Sequence, residues 1–132
     1  MPLLVTGGFR TATAMNEALQ AGEADMIGLG RPLCADPDVP GKLLNGDIAT
    51  APTWEKTLRL GPTRLLGPDS PIALIKGMNG WGQQGWFCEQ IRLMGTGQDP
   101  DLKIGVFKAL RMYQGQEGKA AKAYHAALKE EA

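Results

Sequence analysis

Leu3-Leu4-Val5-Thr6-Gly7-Gly8 and, further along, Ala24-Asp25-Met26-Ile27-Gly28-Leu29-Gly30-Arg31-Pro32 are the stretches that decide how this chain folds. Each is a short apolar run stopped by glycine, the pattern of a buried parallel strand. Between them, Thr11 or Thr13 can cap a helix whose apolar positions include Ala14, Met15, Ala18 and Leu19. Gly22 stands where a glycine after the last turn would end it. Beyond the second run, Asp36-Pro37 offers a cap followed by proline at the first helical position, with Lys42-Leu43-Leu44 filling a short helix that Gly46 stops. The order strand, helix, strand, helix is that of a right-handed β/α repeat. It predicts parallel strands over 3–6 and 26–29, joined by a helix within 12–21.

The remainder reads differently. From 48 to 80 the chain is punctuated by Pro52, Pro62, Pro68 and Pro71 and by Gly61, Gly67, Gly77 and Gly80. So long an irregular stretch is uncommon within one compact domain and suits a segment crossing other surfaces. Ile72-Ala73-Leu74-Ile75 is compatible with a strand or with a helical turn, which periodicity does not separate. From 81 to 132 the pattern is helical. Phe87, Ile91 and Met94 share one face, and Gly95 and Gly97 close the segment. Asp99-Pro100 repeats the cap-plus-proline start, and Leu102, Val106, Leu110 and Tyr113 form a second stripe. These readings predict helices over 84–94 and 100–113. Gly115 and Gly118 then break the chain before a solvated Ala- and charge-rich helix from Lys119 to Glu131. The aromatic and methionine stripes read as packing faces.

Composition narrows the function classes. Glycine and proline supply 18 and 9 of the 132 residues, about a fifth of the chain against roughly an eighth in average usage. The 14 basic and 14 acidic side chains cancel, which argues against a nucleic-acid partner. A hydrophobic content of 43% is that of a globular chain. No apolar run approaches the roughly 18 residues of a membrane span. Met1–Thr6 has no basic region of a signal peptide. Cys34 and Cys88 read as reduced thiols of a cytoplasmic protein. His125 has no second ligand at metal-binding spacing, so no metal site is expected.

The chemistry is expected in two loops, Thr6-Gly7-Gly8-Phe9-Arg10 and Leu29-Gly30-Arg31-Pro32. Each follows a strand and precedes a helix, so a parallel layout puts both at the carboxyl edge of adjacent strands. Glycines there let backbone N–H groups approach an anion, a helix N-terminus adds partial positive charge, and Arg31 supplies a forked donor for phosphate oxygens. In the competing reading the glycines only turn the chain, and Arg31 pairs with Asp36 or Asp38.

The run Pro2-Leu3-Leu4-Val5-Thr6-Gly7-Gly8-Phe9-Arg10-Thr11, with Met15, Ala18-Leu19, Gly22, Ala24 to Leu33 and Asp36-Pro37, resembles the end of the Old Yellow Enzyme family. These are FMN-dependent NAD(P)H:flavin oxidoreductases and ene-reductases built on a TIM (β/α)₈ barrel. The resemblance covers residues 2 to about 46. A looser one joins Trp86, Gln90-Ile91-Arg92 and Gly95 to C-terminal extensions of some members. It implies that Leu3–Thr6 is the seventh barrel strand and Met26–Leu29 the eighth. Gly7, Gly8 and Gly30 would then give backbone contacts to the FMN phosphate, Arg31 would hold that phosphate by charge, and Phe9 would lie beside the flavin edge. For Arg10 it implies no role.

The family's substrate-anchoring His/Asn pair, its proton-donating Tyr and the groups reading the flavin pyrimidine come from earlier strands. No catalytic residue is therefore carried over, and His125 does not replace them. The expected fold is α/β: the last two β/α units of a barrel over 1–47, an irregular connecting segment over 48–80 and a helical C-terminal extension over 81–132. A whole barrel of about 250 residues does not fit in this length, and Met1 reads as an internal methionine of a longer enzyme. The expected cofactor is FMN, held at its phosphate end, with NAD(P)H as reductant in the complete enzyme. The expected partner is the missing N-terminal barrel portion or a second copy, and the chain alone is expected to be inactive. The alternative is a small non-catalytic module that binds a phosphate-bearing ligand or a partner protein.

Overall fold

The computed structural model describes residues 1–130, in two compact units that divide between Thr57 and Leu58.

In the first unit, strand β1 (Leu4–Thr6) pairs in parallel with strand β2 (Met26–Gly28), in the register Leu4–Met26, Val5–Ile27 and Thr6–Gly28. Parallel strands require a crossover, and helix α1 (Ala12–Gln20) supplies it. Thr11 caps α1 by accepting the Ala14 amide at 3.2 Å. At the other end Gly22 donates to the Leu19 carbonyl and Glu23 to that of Ala18, the paired bonds of a Schellman ending. Gly22 takes φ +70° there, which a Cβ would oppose. A 3₁₀ turn over Arg31–Cys34 follows β2, and helix α2 runs Val39–Leu44. The chain then returns across the start of α1. Ala12 donates to the Ala49 carbonyl, Ala51 donates to that of Arg10, and Thr11 bridges Thr50 antiparallel. A second 3₁₀ turn, Trp54–Lys56, ends this return.

The buried residues of this unit are small: Ala18, Ala24, Ala35, Val39 and Ala51, with Pro32. Leu4 and Met26, facing one another in the register, are 53% and 58% exposed. Two strands offer nothing to cover the outer sides of their own apolar residues.

The second unit is an antechamber of irregular chain followed by two long helices, α3 (Ala73–Gly95) and α4 (Val106–Glu130). Trp86, Phe87, Leu93, Ile104, Val106, Ala109 and Leu110 form its core. The helices approach closely at Gly82 and Gly85, where an added Cβ would stand 2.4 Å from Val106 Cγ1 and 2.8 Å from the Ala109 carbonyl oxygen. Amide side chains of α3 order the irregular chain before it. Fully buried Asn79 accepts the Leu60 amide at 2.9 Å and donates to the carbonyls of Leu66 and Ile75. Gln83 donates to the Leu58 carbonyl at 2.8 Å. Backbone groups that have no ladder to join are satisfied this way.

Several helix boundaries differ from those expected. α3 starts at Ala73, so Ile72–Ile75 begins a helix and residues 73–80 are not irregular. Gly77 and Gly80 cost helix propensity, but about 1 kcal/mol each does not outweigh a packed helix face. α4 starts at Val106 and not after Asp99-Pro100. Asp101 instead turns the chain, its carboxylate accepting the Lys103 amide and its carbonyl that of Ile104. Gly115 and Gly118 do not interrupt α4. α2 starts two residues beyond Pro37, because Asp36 accepts the Asp38 amide and makes the turn itself. The end of the helix expected over Lys119–Glu131 falls outside the described residues. Among the described residues no helix is long and apolar enough to cross a membrane.

Two outcomes follow from this packing. Gly85→Ala should destabilise the second unit by about 1–3 kcal/mol through overpacking, read as a lower urea midpoint with an unchanged slope. Glu89, almost fully buried on α3, accepts from Arg92 Nε at 2.9 Å and from Gln116 Nε2 at 3.1 Å. The Arg92 hydrogen bond holds its pKa below the ordinary 4.5 against the burial that raises it. The unfolded chain therefore binds this proton more readily, so the stabilisation is complete above pH 4.5 and is lost as pH falls from there through the lower native pKa. Glu89→Gln should flatten the acid limb of a stability profile measured by urea unfolding from about pH 6 to about pH 3.

Candidate functional site

Because Thr6 is level with Gly28 in a parallel pair, the loops that leave them emerge at the same edge of the sheet. Gly7 and Gly8 follow β1 at φ +97° and +81°. An added Cβ at either would meet nothing within 4 Å, so the two glycines are required by backbone conformation and not by crowding. With Phe9, Arg10, Thr11 and Ala14 they line a hollow of about 450 Å³. Gly28 answers a different need: a Cβ there would fall 2.0 Å from Thr6 Cγ2, so the strand end closes only around glycine.

Two arginines of this unit meet at one carboxylate. Arg10 donates from Nη1 to the Phe9 carbonyl at 3.1 Å and from Nη2 to Glu55 Oε1 at 2.8 Å. Arg31 Nη1 stands 3.7 Å from the same oxygen. The side chains of Arg10 and Glu55 are 19% and 16% exposed, that of Arg31 54%. Burial pushes the Glu55 pKa up, but the Arg10 hydrogen bond, its own backbone and the two guanidinium charges outweigh it and hold the pKa below the usual 4.5. Two permanent cations thus share one anion, leaving a surplus of positive charge beside the glycine loop.

The structure brings Gly7, Gly8 and Phe9 together around one hollow. Gly30, exposed, and Arg31 leave the same sheet edge without lining it. Arg31 is not locked to Asp36, which bonds Lys42 Nζ at 2.6 Å; its ion-pair partner is Glu55. The first turn of α1 is largely committed to its own chain: the Ala12 amide goes to Ala49, and those of Ala14 and Met15 go to Thr11. Sequence reasoning assigned nothing to Arg10 or Glu55. Their meeting depends on the return of residues 49–51 across Arg10–Ala12, for which no local motif exists.

A second concavity of about 360 Å³ lies in the same unit. It is apolar, formed by Met15, Leu19, Met26, Ile27, Leu29, Leu43 and Leu44 with a few polar groups including Asp25. Among the described residues no group of three His, Cys, Asp or Glu side chains is arranged to hold a metal ion.

A 40-residue stretch, 30% of the chain, is similar to two proteins named as NADH-dependent flavin oxidoreductases. It is 52% identical to the NADH-dependent flavin oxidoreductase iccE of Talaromyces variabilis. Over 40 residues it is 45% identical to the NADH-dependent flavin oxidoreductase iliE of Neonectria sp. (strain DH2). The chain spans about a tenth of the first relative's length and a twentieth of the second's. No family model and no solved structure matches it.

Gly8→Ala should cost the first unit about 1–2 kcal/mol of pure left-handed backbone strain. Circular-dichroism urea titration should show that loss, and Gly30→Ala, whose backbone is not left-handed, should show less.

Proposed function

We propose that this chain is the C-terminal β/α part of an FMN-dependent NADH:flavin oxidoreductase of the Old Yellow Enzyme type, holding the phosphate end of the cofactor. The identity of 52% and 45% to two NADH-dependent flavin oxidoreductases supports the flavin and the reductant. The observation that carries the phosphate assignment is the common edge at which the Gly7-Gly8 and Gly30-Arg31 loops leave their parallel strands. The residues suit a phosphate: two glycines without an obstructing Cβ, and two guanidinium groups against one carboxylate.

FMN, when bound, supplies the hydride-accepting and hydride-donating centre. The chain's own residues would bind and orient it. Gly7 and Gly8 would let main-chain amides approach the phosphate oxygens, Arg31 would neutralise their charge, and Phe9 would lie beside the flavin edge. No described residue is assigned to proton transfer or to substrate. Those tasks belong to preceding barrel strands, which would also cover Leu4 and Met26 at the open sheet. We place the chain in the cytoplasm, where Cys34 and Cys88 would remain thiols.

The purified chain, titrated with FMN and followed by flavin fluorescence, should bind weakly and should not turn over NADH with an activated alkene. A solvent-open anion site competes poorly with water. In the complete enzyme, Arg31→Ala should remove about 1.5–3 kcal/mol of FMN binding, the worth of a charged hydrogen bond. Micromolar FMN binding with steady turnover by this chain alone would overturn the need for the earlier strands. Unchanged FMN affinity in the complete Arg31→Ala enzyme would overturn the phosphate role.

A further inference from the structure

We propose that Glu55 is a positioning residue for the anion site: an internal counter-ion that parks Arg31 near the strand ends and yields it to an incoming phosphate, while Arg10 retains the carboxylate. The inference rests on the phosphate reading above and goes beyond it, to the separate roles of Arg10 and Glu55.

The two contacts to Glu55 Oε1 are unequal. Arg10 makes a hydrogen bond of 2.8 Å, and both partners are less than one-fifth exposed. Arg10 is fixed a second time by the Phe9 carbonyl. Arg31, at 3.7 Å, lies beyond hydrogen-bond reach of that oxygen and is attracted to it by charge alone. Its side chain is more than half exposed, so water and salt weaken the attraction further. Arg31 is therefore the replaceable partner and Arg10 the permanent one. A phosphate dianion carries more charge than a carboxylate and has more acceptor oxygens, so it outbids Glu55 for Arg31.

Arg10 makes this exchange possible. It neutralises Glu55 whether or not Arg31 is present, so releasing Arg31 leaves no buried carboxylate without a cation. Without Arg10, the full charge of Glu55 would fall on Arg31, and the carboxylate would compete with phosphate. The return of residues 49–51 across Arg10–Ala12 holds Glu55 in reach, and the 3₁₀ turn Trp54–Lys56 presents it.

The test is a double-mutant cycle on the full chain. Inorganic phosphate is titrated at constant ionic strength and pH 7.5, and the amide resonances of Gly7, Gly8 and Gly30 are followed by NMR. Glu55→Gln should tighten phosphate binding and Arg10→Gln should weaken it, each by about two- to five-fold, the scale of one partly exposed ion pair. In the Glu55→Gln background, Arg10→Gln should lose most of its effect. Relief of charge repulsion alone would tighten binding with or without the Arg31 guanidinium, so the gain from Glu55→Gln is read again in an Arg31→Gln background, where it should disappear if Glu55 acts through Arg31. If Glu55→Gln leaves the affinity unchanged or lowers it, or if Arg10→Gln acts equally in both backgrounds, Glu55 is not the counter-ion of this site. If phosphate moves none of the three resonances in either the parent or Glu55→Gln, the phosphate reading itself falls.

Discussion

Two strands of three residues, hydrogen-bonded in parallel, set the terms for the first unit. Parallel pairing forces the chain to leave both strands at the same edge and to cross back through a helix. Gly7-Gly8 and Gly30-Arg31 are neighbours for that reason alone, since their separation in sequence brings nothing together. The same pairing leaves Leu4 and Met26 more than half exposed. In parallel sheets both faces are normally covered by other elements. The feature that assembles the candidate site is thus the one that leaves the sheet open.

The second unit meets a different constraint. Residues 58–72 contain almost no regular structure, yet their backbone groups must still find partners. Asn79 and Gln83, on successive turns of α3, supply them. Small residues on the neighbouring turns of α3 do the remaining work, since Gly82 and Gly85 let α4 approach to distances that exclude a Cβ. One helix therefore carries both a polar and an apolar solution. Its buried face accordingly mixes glycines, amides and apolar residues, and Ile91 of the expected Phe87, Ile91 and Met94 stripe is 51% exposed.

This explains which elements were legible in the sequence. β1, α1 and β2 carry their own punctuation: a threonine cap, a glycine after the last turn and glycines after each strand. Their type and pairing were readable within a residue or so. α3 and α4 were legible as helices but not in extent, because Gly77, Gly80, Gly115 and Gly118 look like breaks when propensity is weighed without packing. Asp99-Pro100 looks like a helix start, but the Asp101 turn delays α4 to Val106. Of the candidate site, loop placement in the sequence pointed to Gly7, Gly8, Gly30 and Arg31, and the family resemblance pointed to Phe9. The sequence did not disclose that Arg31 faces Glu55. Local candidates Asp36 and Asp38 stood closer along the chain, and Asp36 is taken by Lys42.

Charge and conformation are divided between different residues in this unit. In the proposed site the glycines would fix where a ligand's oxygens can come near the main chain, and they contribute no charge. The arginines contribute charge, and only Arg10 is rigidly placed. Glu55 joins the two sets by holding one guanidinium firmly and the other loosely. A site built from Arg31 alone would have a mobile side chain to order on binding, at a cost in rotamer entropy. A site with Arg31 tightly paired would have that pair to break. A contact of 3.7 Å to a carboxylate already satisfied by Arg10 lies between these extremes, and its competition with an incoming phosphate outweighs the ordering it provides. It restricts the long side chain of Arg31 while leaving its charge to be claimed.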